Sequence, residues 1–340
     1  MPNLPKPRIR RRPRDIPDRV EAPVADRPNV EVIEAEGLRW INIEQPDAME
    51  RGWLEEHHDF HPLDLEDVFS RNQRAKIDTY PDYLFIVLNF PVFDKRIRRL
   101  NAGELDVFVG PGYLITIPNH RLQPVEYLFE RCRAQSELRA ELFSRGSGYL
   151  LYRVVDDGFD YCFPMLRKIS AKLDSLEEQI FHGPSDAGKR VVRDISNVKQ
   201  EIINFRKVIR PQRPVLRQME SQKARYLAPE MDLEVYFDDI VDAHERIWDE
   251  LENAKEVVEG LEDSNESLIG HRVNEILRVL TVISVILLPL TLIASLFGMN
   301  VEVPWQADGD ASLWPFFAVI GGMVAIFAAM IVYFRRREWL

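Results

Sequence analysis

Cysteine is almost absent from this chain, which has only Cys132 and Cys162. They are too far apart for a CxxC pair and stand in no histidine–cysteine cluster of zinc spacing. Both therefore read as reduced, buried, structural thiols. A surplus of basic residues is missing as well. The formal net charge of -11 argues against general nucleic-acid binding, because neutralising phosphates requires a basic surface. Cations are the better candidate partners. There is no GxxxxGK[ST] run to cradle phosphates, and Gly110 to Gly112 and Gly146 to Gly148 read as turns. No Ser-His-Asp or paired-carboxylate arrangement points to an enzyme. The start of the chain, PKPRIRRRPRDIPDR, is basic and proline-rich but leads into no apolar stretch, so it is not a secretory signal. Residues 1–29 read as a disordered tail, with contact to anionic lipid as the sharper alternative.

What is present divides unevenly. The 340 residues are 46% hydrophobic and 29% charged, which suits a globular body. The mean hydropathy of -0.24 nonetheless averages over a soluble majority and a strongly apolar C-terminal end. Residues 279–299 and 313–334 are each about 21 residues long without a charge, or about 31 Å of helix at about 1.5 Å per residue. Each can cross a bilayer core. The connection at 301–312 holds Glu302, Asp308 and Asp310 and no basic residue, whereas the second stretch ends in Arg335, Arg336 and Arg337. Because positive residues stay inside, both termini are expected in the cytoplasm and the acidic loop outside.

Upstream, residues 30–148 mix short β-like runs with short helices, as in LFIVLNFPVF and LDVFVGPGYLITIP, and read as a cytoplasmic α+β domain. From residue 149 the pattern becomes helical and continues to 232. HGPSDAG marks the turn of a helical hairpin, and Pro211 and Pro214 end or kink its second arm. A further helical run over 233–300 starts near Leu233, meets no proline before Pro289 and leads into the first apolar stretch. One helix of more than about 60 residues is implied. Phe237, Ile240, Ile247, Leu251, Ala254, Val258, Leu261 and Leu268 fall at steps of three and four, a seam interrupted by His244 and Asn265 that needs partner helices.

A second stripe on the same helix is mostly small or polar: Gly260, Asp263, Ser267, Gly270, Asn274, Leu277, Thr281, Ser284, Leu288, Thr291 and Ser295. Inside a membrane such a stripe must face protein or water, since lipid cannot satisfy hydroxyls and amides. Lining a pore and close packing through small residues both remain open on the stripe alone.

Directly after the first apolar stretch stands Gly298-Met299-Asn300, in the run NEILRVLTVISVILLPLTLIASLFGMN. With the second apolar helix, the basic C-terminus 335–340 and the upstream stretch HPLDLEDVFSRNQRAKIDTYPDYLFIVL, the sequence resembles the CorA family of magnesium and cobalt transporters over most of residues 30–340. The resemblance implies a homopentameric channel of the cell's inner membrane, two helices per chain, with Gly298, Met299 and Asn300 as its selectivity filter. It also implies that Asn274, Leu277, Leu280, Leu288 and Thr291 line the pore, that Asp263 forms an acidic ring at its cytoplasmic mouth, and that Asp94 and Asp239 of adjacent subunits hold a regulatory cation. The family often has methionine at Leu277 and Leu288 and Met-Pro-Glu-Leu in the loop, where this chain has VEVPWQADGD.

The chemistry agrees with that reading. Mg2+ prefers hard oxygen ligands and sheds water reluctantly, so a ring of Asn300 carbonyls can recognise the hydrated ion through outer-shell hydrogen bonds. Gly298 would permit a tight backbone at the helix end and Met299 would pack the loop. Glu302, Asp308 and Asp310 would concentrate cations, unless they are only a solvated loop surface. Mg2+ is thus expected as transported and regulatory ion, with Co2+ and Ni2+ as further substrates and no organic cofactor. The partners are further copies of the chain and membrane lipid. Two alternatives stand beside it: a ZntB-type Zn2+ transporter, which usually has Gly-Ile-Asn at the signature, and a membrane-anchored cation sensor. His57, His58 and His61 with Asp59 resemble a metal cluster but read as capping and packing. Asp156, Asp157 and Asp160 read as a solvated helix face, with a secondary cation site as the minor option.

Overall fold

A computed structural model describes residues 27–70, 73–94, 99–182, 188–221, 233–299, 314–337 and 339. The tail up to residue 26, the hairpin turn at 183–187 and the loop at 301–312 lie outside the described residues. The chain divides into two compact units, Met1–Ala171 with Gln200–Lys255, and Lys172–Lys199 with Glu256–Leu340.

The first unit is built on six strands: β1 (Glu31–Ala35), β2 (Leu38–Asn42), β3 (Lys76–Thr79), β4 (Leu84–Asp94), β5 (Arg99–Gly110) and β6 (Tyr113–Pro118). Their order is β1-β2-β6-β5-β4-β3, with β2 and β6 parallel and every other neighbour antiparallel. The β1–β2 hairpin turns at Glu36 and Gly37, which both have positive φ, as a two-residue hairpin loop requires. An antiparallel sheet with one wet face reads as alternating apolar and polar residues, yet LFIVL of β4 is buried without a break. The reason is that both faces are covered. Phe85, Val87, Phe108 and Ile115 pack with Leu54 of α1 (Ala48–His57) and with Leu65 and Val68 of α2 (Pro62–Phe69). On the other face Trp40 meets Phe129 of α3 (Gln123–Ala134) edge to face at 4.9 Å, and Phe90 meets Phe159 of α5 (Ser147–Asp160) at 5.4 Å. Burying each such side chain contributes roughly 1.5–3 kcal/mol.

The short α4 (Ser136–Phe143) precedes α5, and the hairpin helices follow as α6 (Cys162–His182) and α7 (Gly188–Ile209). The prolines end α7 as expected: a 3-10 turn at Arg210–Gln212 separates it from α8 (Arg213–Ser221). That turn is fastened to the sheet by the buried Gln212, whose amide carbonyl accepts from the Asn89 N–H at 3.1 Å while its NH2 donates to the Asn89 carbonyl. The expected seam on α9 (Leu233–Phe297) is buried at Phe237, Ile240, Ile247, Leu251 and Ala254, and the buried His244 ring lies 3.0 Å from the Ile209 carbonyl. Cys132 and Cys162 are buried free thiols.

In the second unit α9 continues with Val258 and Leu261 buried, and α10 spans Trp314–Arg336. Among the described residues, the 65-residue α9 and α10 are the two helices long and apolar enough to cross a membrane.

One residue of the sheet core contradicts simple patterning. Asp106 on β5 has no exposed surface, and neither carboxylate oxygen has a hydrogen-bond partner. Burial first, then the carboxylates of Glu104 and Asp67, push its carboxyl well above the ordinary carboxylate range, opposed by Lys76. The folded chain thus keeps a proton that the unfolded chain releases above about pH 4. Stability from this group is full below that pH and is lost as pH rises towards the raised folded value. Asp106→Asn cannot ionise, so its melting temperature should overtake that of the wild type as pH is raised from 4 to 8, by about 2–4 °C per kcal/mol relieved. Parallel melting curves across that range would mean that Asp106 is charged and partnered in solution.

Candidate functional site: a polar helix face and an acidic cluster

In the second unit α9 and α10 meet through Val282 and Ile286 against Phe334, with Leu290, Met330 and Ile331 beside them. At about 100° per residue, Thr281, Ser284, Leu288, Thr291 and Ser295 lie on other sides of α9, mostly opposite that contact. They are exposed in the single chain, as are Asp263, Asn274, Leu277 and Leu280. The small and polar stripe is therefore not used to pack the two helices of one chain together. From Asn274 to Ser295 it extends about 31 Å, a bilayer core's thickness.

Three hydroxyls of the stripe donate to the helix's own carbonyls. Thr281 Oγ1 donates to the Leu277 carbonyl at 2.7 Å, Ser284 Oγ to the Leu280 carbonyl at 2.9 Å, and Thr291 Oγ1 to the Leu288 carbonyl at 2.9 Å. Because the helix itself takes up these protons, lipid can accommodate these three hydroxyls as well as water can. What remains is a row of outward-facing oxygen lone pairs, suited to cations or their hydration water. Leu277 and Leu288 interrupt that row, about 16 Å apart along the axis.

The helix ends at Phe297. The Gly298 N–H still reaches the Ala294 carbonyl at 2.9 Å, and a Cβ added at Gly298 would stand 3.1 Å from that same oxygen. A tight helix end that favours glycine is thus present, and Met299 is exposed beyond it. Asn300, Glu302, Asp308 and Asp310 lie outside the described residues.

The first unit carries the acidic cluster. Asp239 on α9 is exposed, and its carboxylate accepts from the Tyr152 hydroxyl of α5 at 3.5 Å. Asp156, one turn along α5 from Tyr152, is not the solvated carboxylate that helical patterning suggested: its side chain is 14% exposed. Burial first, then the charges of Asp160, Asp157 and Asp239, opposed by Arg153, push its carboxyl up to about 6. Arg153 is the internal counter-charge, 2.7 Å from Asp156 and also paired with Asp157. Tyr152 and Arg153 were not singled out from sequence, although Arg153 stands three and four residues before its partners, the ion-pair spacing of a helix. Asp94 closes β4 opposite Arg99. Its expected meeting with Asp239 is between subunits.

Among the described residues no group of three or more His, Cys, Asp or Glu side chains is arranged to hold a metal within one chain. The histidines near 57 to 61 have structural roles. His61 caps α2 by accepting from the Leu63 N–H at 3.3 Å, and His58 stacks on Phe60 at 4.9 Å.

Comparison with known proteins gives a consistent result. A family model described as CorA-like Mg2+ transporter protein matches residues 35–336. The cobalt/magnesium transport protein CorA of Thermotoga maritima is 31% identical over 310 residues, covering 88% of this chain and 83% of that protein. Among solved structures, the complete CorA magnesium transporter of Methanocaldococcus jannaschii superposes with a TM-score of 0.77 at 21% identity, over 91% of this chain and 93% of that one. The full-length CmaX protein superposes with a TM-score of 0.72 at 18% identity, over 93% of this chain and all (100%) of that one. These two likenesses establish the fold, including the long helix followed by a C-terminal apolar helix.

The raised carboxyl of Asp156 has a measurable consequence. As pH falls through about 6 it takes up a proton, so the cluster around Asp239 loses negative charge and would attract a divalent cation less strongly. The Mg2+ concentration that half-protects the full-length chain from trypsin should be several-fold higher at pH 5.5 than at pH 7.5, and Asp156→Asn should remove most of that difference. A midpoint that does not move with pH would take Asp156 out of the cation's surroundings.

Proposed function

The chain belongs to the CorA-like Mg2+ transporter family and is a divalent-cation transporter, and on that premise we propose that it works as a homopentameric channel importing Mg2+. Co2+ is a second substrate and Ni2+ a further one. One pore helix cannot enclose a pathway, so several copies must stand around an axis, and closed cyclic symmetry gives each copy the same environment. The observation that carries the reading is the exposed stripe of α9, from Asn274 to Ser295, on sides not used by α10. Its lone pairs line the path, Asp263 draws cations to the cytoplasmic mouth, and the Leu277 and Leu288 rings close it by excluding water. Gly298, Met299 and Asn300 form the outer filter, and Glu302, Asp308 and Asp310 raise the local cation concentration.

Energy comes from the membrane potential: an inward-moving divalent ion gains about 4.6 kcal/mol per 100 mV, at about 2.3 kcal/mol per charge. In this proposal both termini are cytoplasmic, with Arg335, Arg336 and Arg337 holding the C-terminal end inside. Asp94 and Asp239 of adjacent subunits bind a Mg2+ that keeps the pore closed when the internal ion is plentiful. Carboxylates converging across an interface repel one another when empty and are bridged when occupied. The ion can shift the closed–open balance only by its differential affinity for the two states, and a few kcal/mol suffices for a switch. A membrane-anchored sensor would share the acidic cluster but has no need of the stripe. A ZntB-type Zn2+ carrier would share the architecture.

Flux into sealed liposomes separates these readings when Mg2+, Co2+, Ni2+ and Zn2+ are compared. Mg2+ entry should exceed Zn2+ entry, and Asn300→Ala should abolish it while the oligomer on gel filtration is unchanged. Wild-type Mg2+ flux in Asn300→Ala would remove the proposed filter, and no flux of any ion in the wild type would favour the sensor.

The leucine rings make a separate prediction. Leu288→Asn should hydrate the closed constriction and raise resting leakage several-fold at high internal Mg2+. Leakage equal to wild type would leave Leu288 as a packing residue.

A further inference from the structure

A groove in the first unit is formed where α3 passes the C-terminal end of α5. Its volume is about 580 Å3, and its lining includes Arg121, Glu126, Tyr127, Glu130, Asp157 and Tyr161. Tyr127 is 65% exposed, and the Arg131 guanidinium already stacks on its ring at 5.5 Å. Beside the groove stands Glu44, exposed and without an ion pair among the described residues. Its carboxyl is pushed up by partial burial and then by the neighbouring carboxylates of Glu126, Glu31 and Glu130, with Arg121 opposing. Four carboxylates, Glu31, Glu44, Glu126 and Glu130, stand at this rim against three arginines, Arg121, Arg131 and Arg133: Arg121 pairs with Glu126 at 2.7 Å, and Arg133 with Glu31 at 2.8 Å and Glu130 at 3.0 Å, which leaves Glu44 as the carboxylate in excess. A rim of this composition favours a cationic visitor, and a concave one with tyrosine rings favours guanidinium groups over a compact ammonium.

Glu31 is also the first residue of β1, four residues after Arg27, where the described chain begins. Immediately upstream lie residues 1–26, whose segment 6–14 reads KPRIRRRPR and carries Lys6, Arg8, Arg10, Arg11, Arg12 and Arg14 with no acidic residue. The intervening residues 15–26 can span up to about 40 Å at about 3.3–3.6 Å each. The tail is therefore tethered at the edge of the acidic groove, and a short tether holds it there at an effective concentration of about millimolar. We propose that the arginine-rich segment 6–14 of the same chain docks in the groove between α3 and α5, its guanidinium groups on Glu44, Glu126 and Glu130 and against Tyr127. Charge complementarity and the point of attachment favour this occupant over a bilayer, which would also attract the segment. Docking is electrostatic at an exposed site, so it weakens as salt shortens the Debye length from about 14 Å at 50 mM to about 4 Å at 500 mM.

Cysteine trapping tests this in the full-length protein, because Cys132 and Cys162 are buried and do not compete. Arg11→Cys is combined with Pro124→Cys, on the groove wall, and oxidised with copper phenanthroline in detergent. A disulfide within one chain should form at least about five-fold faster than in a control pairing Arg11→Cys with Leu63→Cys, an exposed position on α2. The rate should fall several-fold between 50 and 500 mM NaCl, and again when Glu44→Lys and Glu130→Lys are added. Both are exposed positions, and an unchanged melting temperature verifies that the fold survives. Equal rates for groove and control, no response to the charge reversals, or disulfides only between chains would overturn the proposal. So would loss of the disulfide on reconstitution into vesicles of anionic phospholipid but not into neutral ones, which would assign the tail to the membrane.

Discussion

Every feature of the C-terminal part depends on one constraint: a backbone that enters lipid must satisfy its own hydrogen bonds, and only an unbroken helix or a closed barrel does so. α9 runs as one helix over 65 residues, with Pro289 inside it removing a single backbone donor. The same helix meets different surroundings along its length. Around Phe237 to Leu261 it buries an apolar seam, and around Val282 and Ile286 it presents a narrow apolar contact to α10. The remainder stays exposed in a single chain. A helix with so much uncovered apolar surface is unstable in water, so it calls for lipid or further protein around it. The hydroxyls that bond back to their own helix allow that segment to tolerate either neighbour.

The sheet of the first unit solves the opposite problem. Helices on both faces exclude water from β4 and β5, which lets long apolar strands stand side by side without an exposed face. The cost falls on the polar residues trapped there. Gln212 replaces a missing strand neighbour by pairing with the backbone of Asn89, and Asp64 is held by the hydroxyls of Tyr80 at 3.1 Å and Tyr83 at 2.8 Å. Asp106 has no such help, and its burial pushes its carboxyl well above the ordinary range, so it holds its proton to higher pH. Removing a charge from a low-dielectric interior through protonation is far cheaper than burying it unpaired.

The carboxylates around Asp239 show how position decides what an acid does. Asp160 is exposed, whereas Asp156, one helical turn before it, is largely covered and surrounded by like charges. Arg153 offsets those like charges from within the chain. The groove near Glu44 repeats the theme on a more open surface, where carboxylates gather beside the attachment point of a basic segment.

Much of this was legible in the chain itself. Two charge-free stretches, each long enough to span lipid, require no tertiary information, because backbone satisfaction and side-chain transfer act residue by residue. The lack of a proline between Leu233 and Pro289 already implied one long helix. The Gly-Met-Asn run at its end, with the basic C-terminus, carried the family. The periodicity of Phe237, Ile240, Ile247 and Leu251 showed that one face was buried, since a helix maps spacing onto direction. What periodicity could not supply was the identity of the neighbour. Only the tertiary structure decided that Val282 and Ile286 meet α10, leaving the polar stripe uncovered, and that Asp156 on α5 lies beside Asp239 on α9. The burial of Asp106 was equally hidden, because a strand's own sequence does not reveal that helices close both faces of its sheet. These contacts join residues tens of positions apart, and their energies come from the packed surroundings rather than from the local chain.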